Sequence, residues 1–272
     1  MPKPDKKRGI LMVAIVIVVT AGIGAASWFS SSFKRDLTDD EILARLEPGV
    51  SPRDVQHALS QLEGRLGPSY EGRDRFREPL VALVDSEYVE IRRQIAWVMG
   101  REPAELYREG LARMLADNDA GVQLNAACAL SNFNDPRARP RLLAGLTSFE
   151  VAAPASGALD IKVKAGDPAS LGAALGVVET ADGSVDVRTS MSGFVERLPR
   201  GNNGEVDAGE AVLVVAPDPK VVRNVLVALR FVGRLEDVSH IEPFASGAVT
   251  RMGEDVAEEA RAAIAAIKGR GK

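Results

Sequence analysis

Apolar positions divide the chain into three kinds of segment. From Gly9 to Phe33 there is no charged side chain, and Ile10 to Val19 is an almost unbroken aliphatic run. About 20 helical residues at ~1.5 Å each cross a ~30 Å hydrocarbon layer, so residues 9–33 predict a transmembrane helix. Lys3, Lys6, Lys7 and Arg8 lie in the basic segment 1–8 before it, and Trp28 and Phe29 sit at its far end. Basic residues stay on the cytoplasmic side, so the expectation is a single pass through a bacterial inner membrane with the bulk of the chain periplasmic or extracytoplasmic. A cleaved signal ending at Gly24, Ala25 and Ala26 is the alternative, disfavoured by the length of the apolar run.

Beyond residue 35 the apolar positions follow a helical period, and they repeat. A shift of 31 residues lays Phe76, Leu80, Leu83 and Val84 on Tyr107, Leu111, Met114 and Leu115. The same shift lays Ile91, Ile95, Val98 and Met99 on Val122, Ala126, Ala129 and Leu130. Every set has the i, i+4, i+7, i+8 spacing of one helix face, so each unit predicts a helical hairpin. Leu142 and Leu146 start a third unit after the turn Asn134-Asp135-Pro136. Asp39 to Leu66, with Ile42, Leu46, Val55, Leu59 and Leu62, is expected to be a degenerate first one. The second helix of the third unit should begin near Ala153, but Pro154 and Gly157 punctuate that stretch. Its pattern returns at Val222, Arg223, Leu226 and Leu229, which places an inserted domain between the two helices of one hairpin. A last hairpin is expected from Ile241, Phe244 and Ala245 to Val256, Ala260, Ala263 and Ile264.

The insert itself predicts strands. Leu159-Ile161-Val163 and Val185-Val187 alternate between glycine-bearing turns. Its first half, Ser156-Gly157 to Val178, is echoed by Ser192-Gly193 to Val215, which implies a pseudo-twofold sandwich.

Composition narrows the chemistry. A formal net charge of −4 is spread along the chain with no basic block beyond the N-terminus, so the electrostatic footprint of nucleic-acid binding is missing. Cys128 is the single cysteine and His57 and His240 the two histidines; neither a disulfide nor a zinc site of usual spacing can be assembled within one chain. His57 and His240 share no motif, Cys128 reads as a packing residue of an alanine-rich helix, and Trp97 as a packing residue beside Ile95 and Val98. Arg73-Asp74-Arg75-Phe76-Arg77 reads as a solvated helix start without a phosphate loop. No catalytic, metal or cofactor residue is expected.

Two resemblances add to this. Asp85 to Arg92 and Asp117 to Val122 resemble the aspartate turn and valine-arginine opening of a HEAT-type repeat, which implies an α-solenoid that binds partners along an extended surface. Val163-Lys-Ala-Gly-Asp167, Gly172, Val178-Glu-Thr180 and Ser192-Gly193 resemble the biotinyl/lipoyl fold. Aligned without a gap, Asp182 occupies the position of the acceptor lysine of that family, and Lys162 and Lys164 belong to the first strand, so a carrier role is not implied. Ala153-Pro154-Ala-Ser-Gly157 and Gly209 to Pro217 are similar to the unmodified lipoyl-like modules of membrane fusion, or periplasmic adaptor, proteins, whose long helical hairpin is here only the turn around Ala181-Asp182-Gly183. Helical-repeat families of this general type also include bilin lyases.

The expected fold is therefore α+β: a transmembrane helix and an α-solenoid of HEAT-like hairpins interrupted by a small lipoyl-like β sandwich, or barrel-sandwich hybrid. Residues 36–149 and 220–272 would be the helical repeats and residues 150–219 the insert. The expected function is a membrane-anchored, non-catalytic scaffold for protein partners of the cell envelope, with Ala181, Asp182, Gly183 and Ser184 as a partner-contact hairpin. The alternatives are an adaptor of an efflux or secretion system, and a lipoyl carrier or bilin-lyase-like enzyme.

Overall fold

A computed structural model of the chain describes residues 35–67, 69–249 and 251–271, in two compact units divided between Gly64 and Arg65. The expected basic segment 1–8 and transmembrane anchor 9–33 lie outside the described residues. Among the described residues no helix is long and apolar enough to cross a membrane. The expected fold is corrected accordingly, to an α+β chain with two antiparallel sheets and no described spanning helix, and the single-pass inner-membrane location is set aside with it.

In the first unit, helix α1 (Asp39–Arg45) starts at a capping box in which Thr38 and Glu41 each satisfy the other's backbone N–H. Helix α2 (Pro52–Arg65) follows, and Ile42, Leu46, Val55, Leu59 and Leu62 are buried. Gln61 ties down the entering strand of chain: its Oε1 accepts from the Leu37 N–H at 2.7 Å and its Nε2 donates to the Arg35 carbonyl at 2.9 Å. Arg45 donates to His57 Nδ1 at 2.8 Å, which gives that histidine a structural role.

The second unit opens with a helical array. Its helices are α3 (Arg77–Ala82), α4 (Val89–Arg101), α5 (Arg108–Met114), α6 (Ala120–Ser131) and α7 (Arg139–Ala144), then, after the strands, α8 (Pro219–Val232), α9 (Val238–Ala245) and α10 (Glu254–Arg270). Each short helix, α3, α5, α7 and α9, is led in by a 3-10 turn. The longer ones pack in series, α4 on α6, α6 on α8 and α8 on α10. Their facing residues, Ile91, Ile95, Val98 and Met99 with Val122, Ala126, Ala129 and Leu130, are almost completely buried. Burial stabilises this seam by about 1.5–3 kcal/mol for each large aliphatic side chain.

Charge pairs lock one hairpin to the next. Arg92 grips Asp117 through Nε (2.6 Å) and Nη2 (3.0 Å), and Arg93 grips Asp119 at 2.8 Å while Asp119 also caps α6 by accepting from the Val122 N–H. Within one hairpin, Arg73 and Arg77 reach Glu102 at the end of α4, at 3.3 and 2.6 Å, while Asp74 and Arg75 of the same cluster are exposed as expected. Hydrogen bonding by Arg92 holds the Asp117 carboxyl below the usual carboxylate range. Asn125 of α6 and Asn132 at its C-terminal cap donate to the Arg93 and Gly100 carbonyls of α4 at 3.0 and 3.1 Å.

Eight strands follow α7: β1 (Phe149–Ala152), β2 (Gly157–Ile161), β3 (Pro168–Ala169), β4 (Ala174–Thr180), β5 (Gly183–Arg188), β6 (Gly193–Arg197), β7 (Asn203–Val206) and β8 (Ala211–Pro217). They form two antiparallel sheets, ordered β1-β8-β6-β3 and β5-β4-β2-β7, around Leu159, Leu175, Val178, Val187, Val195 and Leu213. Phe149 pairs with Val215, so the chain enters and leaves the strands at hydrogen-bonded neighbours and α8 starts beside the end of α7. Two glycines at echoed positions are sterically required. A Cβ on Gly157 would stand 2.2 Å from the Glu179 carbonyl oxygen, and one on Gly193 2.1 Å from that of Ala216. The strands are also seated on the array: the Ser190 carbonyl lies where a Cβ on Gly121, at the start of α6, would approach it to 2.5 Å.

Candidate functional site

Within the second unit, the sheet that contains β6 and β8 and the C-terminal helices enclose a cleft of about 520 Å³. Phe194 and Glu196 of β6 and Ala216 of β8 form one wall. Phe244 of α9 with Val249 and Met252 of the α9–α10 connection form the other, and Leu146 and Gly166 also line it. The size falls in the range of ligand-binding pockets, and the lining is mainly apolar.

Each wall has a local cause. Strand alternation sends Val195 into the β core, where it is 1% exposed, and leaves its neighbours Phe194 and Glu196 on the cleft side. On the opposite wall α9 ends at Ala245 in a Schellman-type turn, where the Ala248 N–H donates to the Pro243 carbonyl at 3.0 Å and the Gly247 N–H to the Phe244 carbonyl at 3.2 Å. The chain then crosses to α10 through Gly247, whose φ is +72°, and Arg251, whose φ is +67°. A left-handed backbone is rare for arginine. That conformation carries the Arg251 guanidinium over the Phe194 ring, with Cζ 5.0 Å from the ring centroid, and lets Nη1 donate to the Gly166 carbonyl at 3.2 Å. Arg251 is the only Lys or Arg among the described residues that line the cleft.

The residues singled out in the sequence lie elsewhere. Ala181, Asp182, Gly183 and Ser184 form the exposed tight turn between β4 and β5, where Thr180 Oγ1 donates to the Gly183 carbonyl at 2.8 Å, the Asp182 N–H donates to Thr180 Oγ1 at 3.2 Å and Ser184 donates to Glu179 at 2.6 Å. The hairpin does not line the cleft. Cys128 is half-buried on α6 beside Trp97 of α4, and burial pushes its thiol up to about 12, so it stays protonated and is not a nucleophile at neutral pH. Among the described residues no group of His, Cys, Asp and Glu is placed to hold a metal. Sequence reasoning missed Arg251 altogether, and nothing in its spacing marks it: it is a lone cation in a turn between Gly247 and Gly253.

No family model and no curated protein matches the chain. A solved structure, that of the complex of CpcE and CpcF of phycocyanin lyase from Nostoc sp. PCC7120, is similar with a TM-score of 0.45 and 17% identity, over 86% of this chain. This chain spans 66% of the length of the chain it matches. The expected resemblance to the biotinyl/lipoyl and membrane fusion families is set aside, since no family model carries it and the similar structure is named for a phycocyanin lyase. So is the reading as a non-catalytic envelope scaffold or an export adaptor: of the alternatives read from the sequence, the similar structure falls on the bilin-lyase-like one. At that TM-score the likeness brings no activity with it.

Proposed function

We propose that this chain binds a protein partner, and that the cleft between the β strands and the C-terminal helices is where it grips that partner. In this proposal residues 36–149 and 220–272 form the helical repeats, residues 150–219 are a β module inserted in them, and the hairpin Ala181–Ser184 is a second contact. The observation that carries it is the cleft: an apolar recess of about 520 Å³ walled on one side by strands and on the other by helices, so a bound segment touches both parts at once. Site-specific photo-crosslinking tests it, with the probe at Val249 in the cleft and a control at Ala265, an exposed position on α10. The expected outcome is one captured protein from Val249 that is absent from Ala265 and lost when Met252→Glu puts a charge into the recess. Capture that is equal from both positions, or insensitive to M252E, contradicts it.

A bilin-lyase-like activity is the second reading, the sequence-level alternative left standing after the corrections above. Incubating the purified chain with phycocyanin and following the absorbance of the pigment tests it, and an unchanged spectrum removes it.

A further inference from the structure

We infer that the group the cleft recognises is a chain end: an apolar C-terminal segment of the partner, its free carboxylate held by Arg251. The inference rests on the partner-binding reading of the cleft and adds the chemistry of the partner.

Three observations carry it. Phe194, Phe244, Val249, Met252 and Leu146 give the cleft apolar surface that favours apolar side chains, beside the polar groups of Ser148, Glu196 and Arg251. Arg251 is the one Lys or Arg among the described residues of the cleft, and one of its five N–H groups, on Nη1, donates to the Gly166 carbonyl. Its Cζ lies 5.0 Å from the Phe194 ring centroid, a cation–π distance that restrains the planar fork, and the remaining donors can meet a planar anion such as a carboxylate, where charge-assisted hydrogen bonds form. The backbone of Arg251 is in the left-handed region at φ +67°, a conformation that costs of order 1 kcal/mol for such a residue and that here serves to aim the side chain at the cleft.

Glu196 sets the number of charges. It stands two positions from Phe194 on the same strand and also lines the cleft, so a second carboxylate on the bound segment would face a like charge. The fit is to one terminal charge on an apolar segment, not to an acidic peptide. Capture of a C-terminal carboxylate is a known mode of peptide recognition.

An array of peptides ending in tripeptides of Leu, Val, Ile, Phe and Met, each made as the free acid and as the C-terminal amide, tests the inference with the full chain and its R251Q, R251K and M252E variants. Circular dichroism on each variant establishes that it is folded. The expected result is that acids bind about tenfold more tightly than their amides to the wild type, that R251Q removes the difference while R251K keeps part of it, and that M252E weakens acids and amides together. Acids and amides binding equally well to the wild type, but both weakened by M252E, would overturn the carboxylate and leave the cleft standing. Binding by no acid, or binding that M252E leaves unchanged, would overturn the peptide site in the cleft. A small aromatic acid, 1-naphthoate, serves as the remaining arm, and tighter binding of it than of any peptide acid would overturn the peptide as the occupant.

Discussion

Asp237 is 0% exposed. Burial pushes its carboxyl up, but hydrogen bonds from the Arg139 side chain and the Arg234 backbone N–H outweigh that, and its pKa lies below the usual value. Arg139 Nε meets it at 2.7 Å across 98 residues of sequence, joining the start of α7 to the turn before α9 on either side of the strands. Breaking a buried pair by neutralising one partner costs about 3–5 kcal/mol, so Asp237→Asn should lower stability by roughly 3 kcal/mol in urea denaturation, with the fold retained. The pH dependence has a definite sign. Asp237 and Asp117 both have folded pKa values below the unfolded value of about 3.9. Their contribution is complete above that value and is lost as pH falls through the folded pKa. The urea midpoint of the wild type should therefore drop below about pH 4, and D237N should drop less steeply; equal slopes would mean that Asp237 does not carry the charge assigned to it. None of this pairing was legible in the sequence, because no local period relates Arg139 to Asp237.

At the scale of elements much more could be read. The 31-residue shift selected Phe76, Leu80, Ile91, Ile95 and Val98, and Tyr107, Leu111, Val122, Ala126 and Ala129, all buried, because a helix that packs on one side must repeat its apolar face every 3.6 residues. The last helix follows the same logic one turn further than anticipated: Val256, Ala260, Ala263 and Ile267 are buried and Ile264 is only half-buried. The echo of Ser156-Gly157 in Ser192-Gly193 marked two positions where only glycine fits, although the reason, a carbonyl oxygen of the neighbouring strand little more than 2 Å from the missing Cβ, is visible only once strands are paired. Gly193→Ala is therefore predicted to force β6 from β8, costing about 2 kcal/mol. Thermal unfolding should show a clear loss for G193A and almost none for Ala at Gly269, where a Cβ meets nothing within 4 Å.

For the whole molecule, the cleft was the illegible part. Leu146, Gly166, Phe194, Phe244 and Arg251 come from five separate stretches of chain, and periodicity states which face of an element is apolar without stating what it will face. The hairpin at Ala181–Ser184 is marked in the sequence by the lipoyl-like pattern that puts Asp182 at the acceptor position, whereas a recess has no such local mark and needs the packing of strands against helices. Partner binding at that recess makes a direct prediction for hydrogen exchange measured on the full chain with and without the protein captured from Val249. Slowed exchange should appear in the amides of Phe194–Arg197 and of the connection between α9 and α10, with those of α1 and α2 unchanged. Protection confined to the helical array, or none in β6, would contradict the cleft as the binding site.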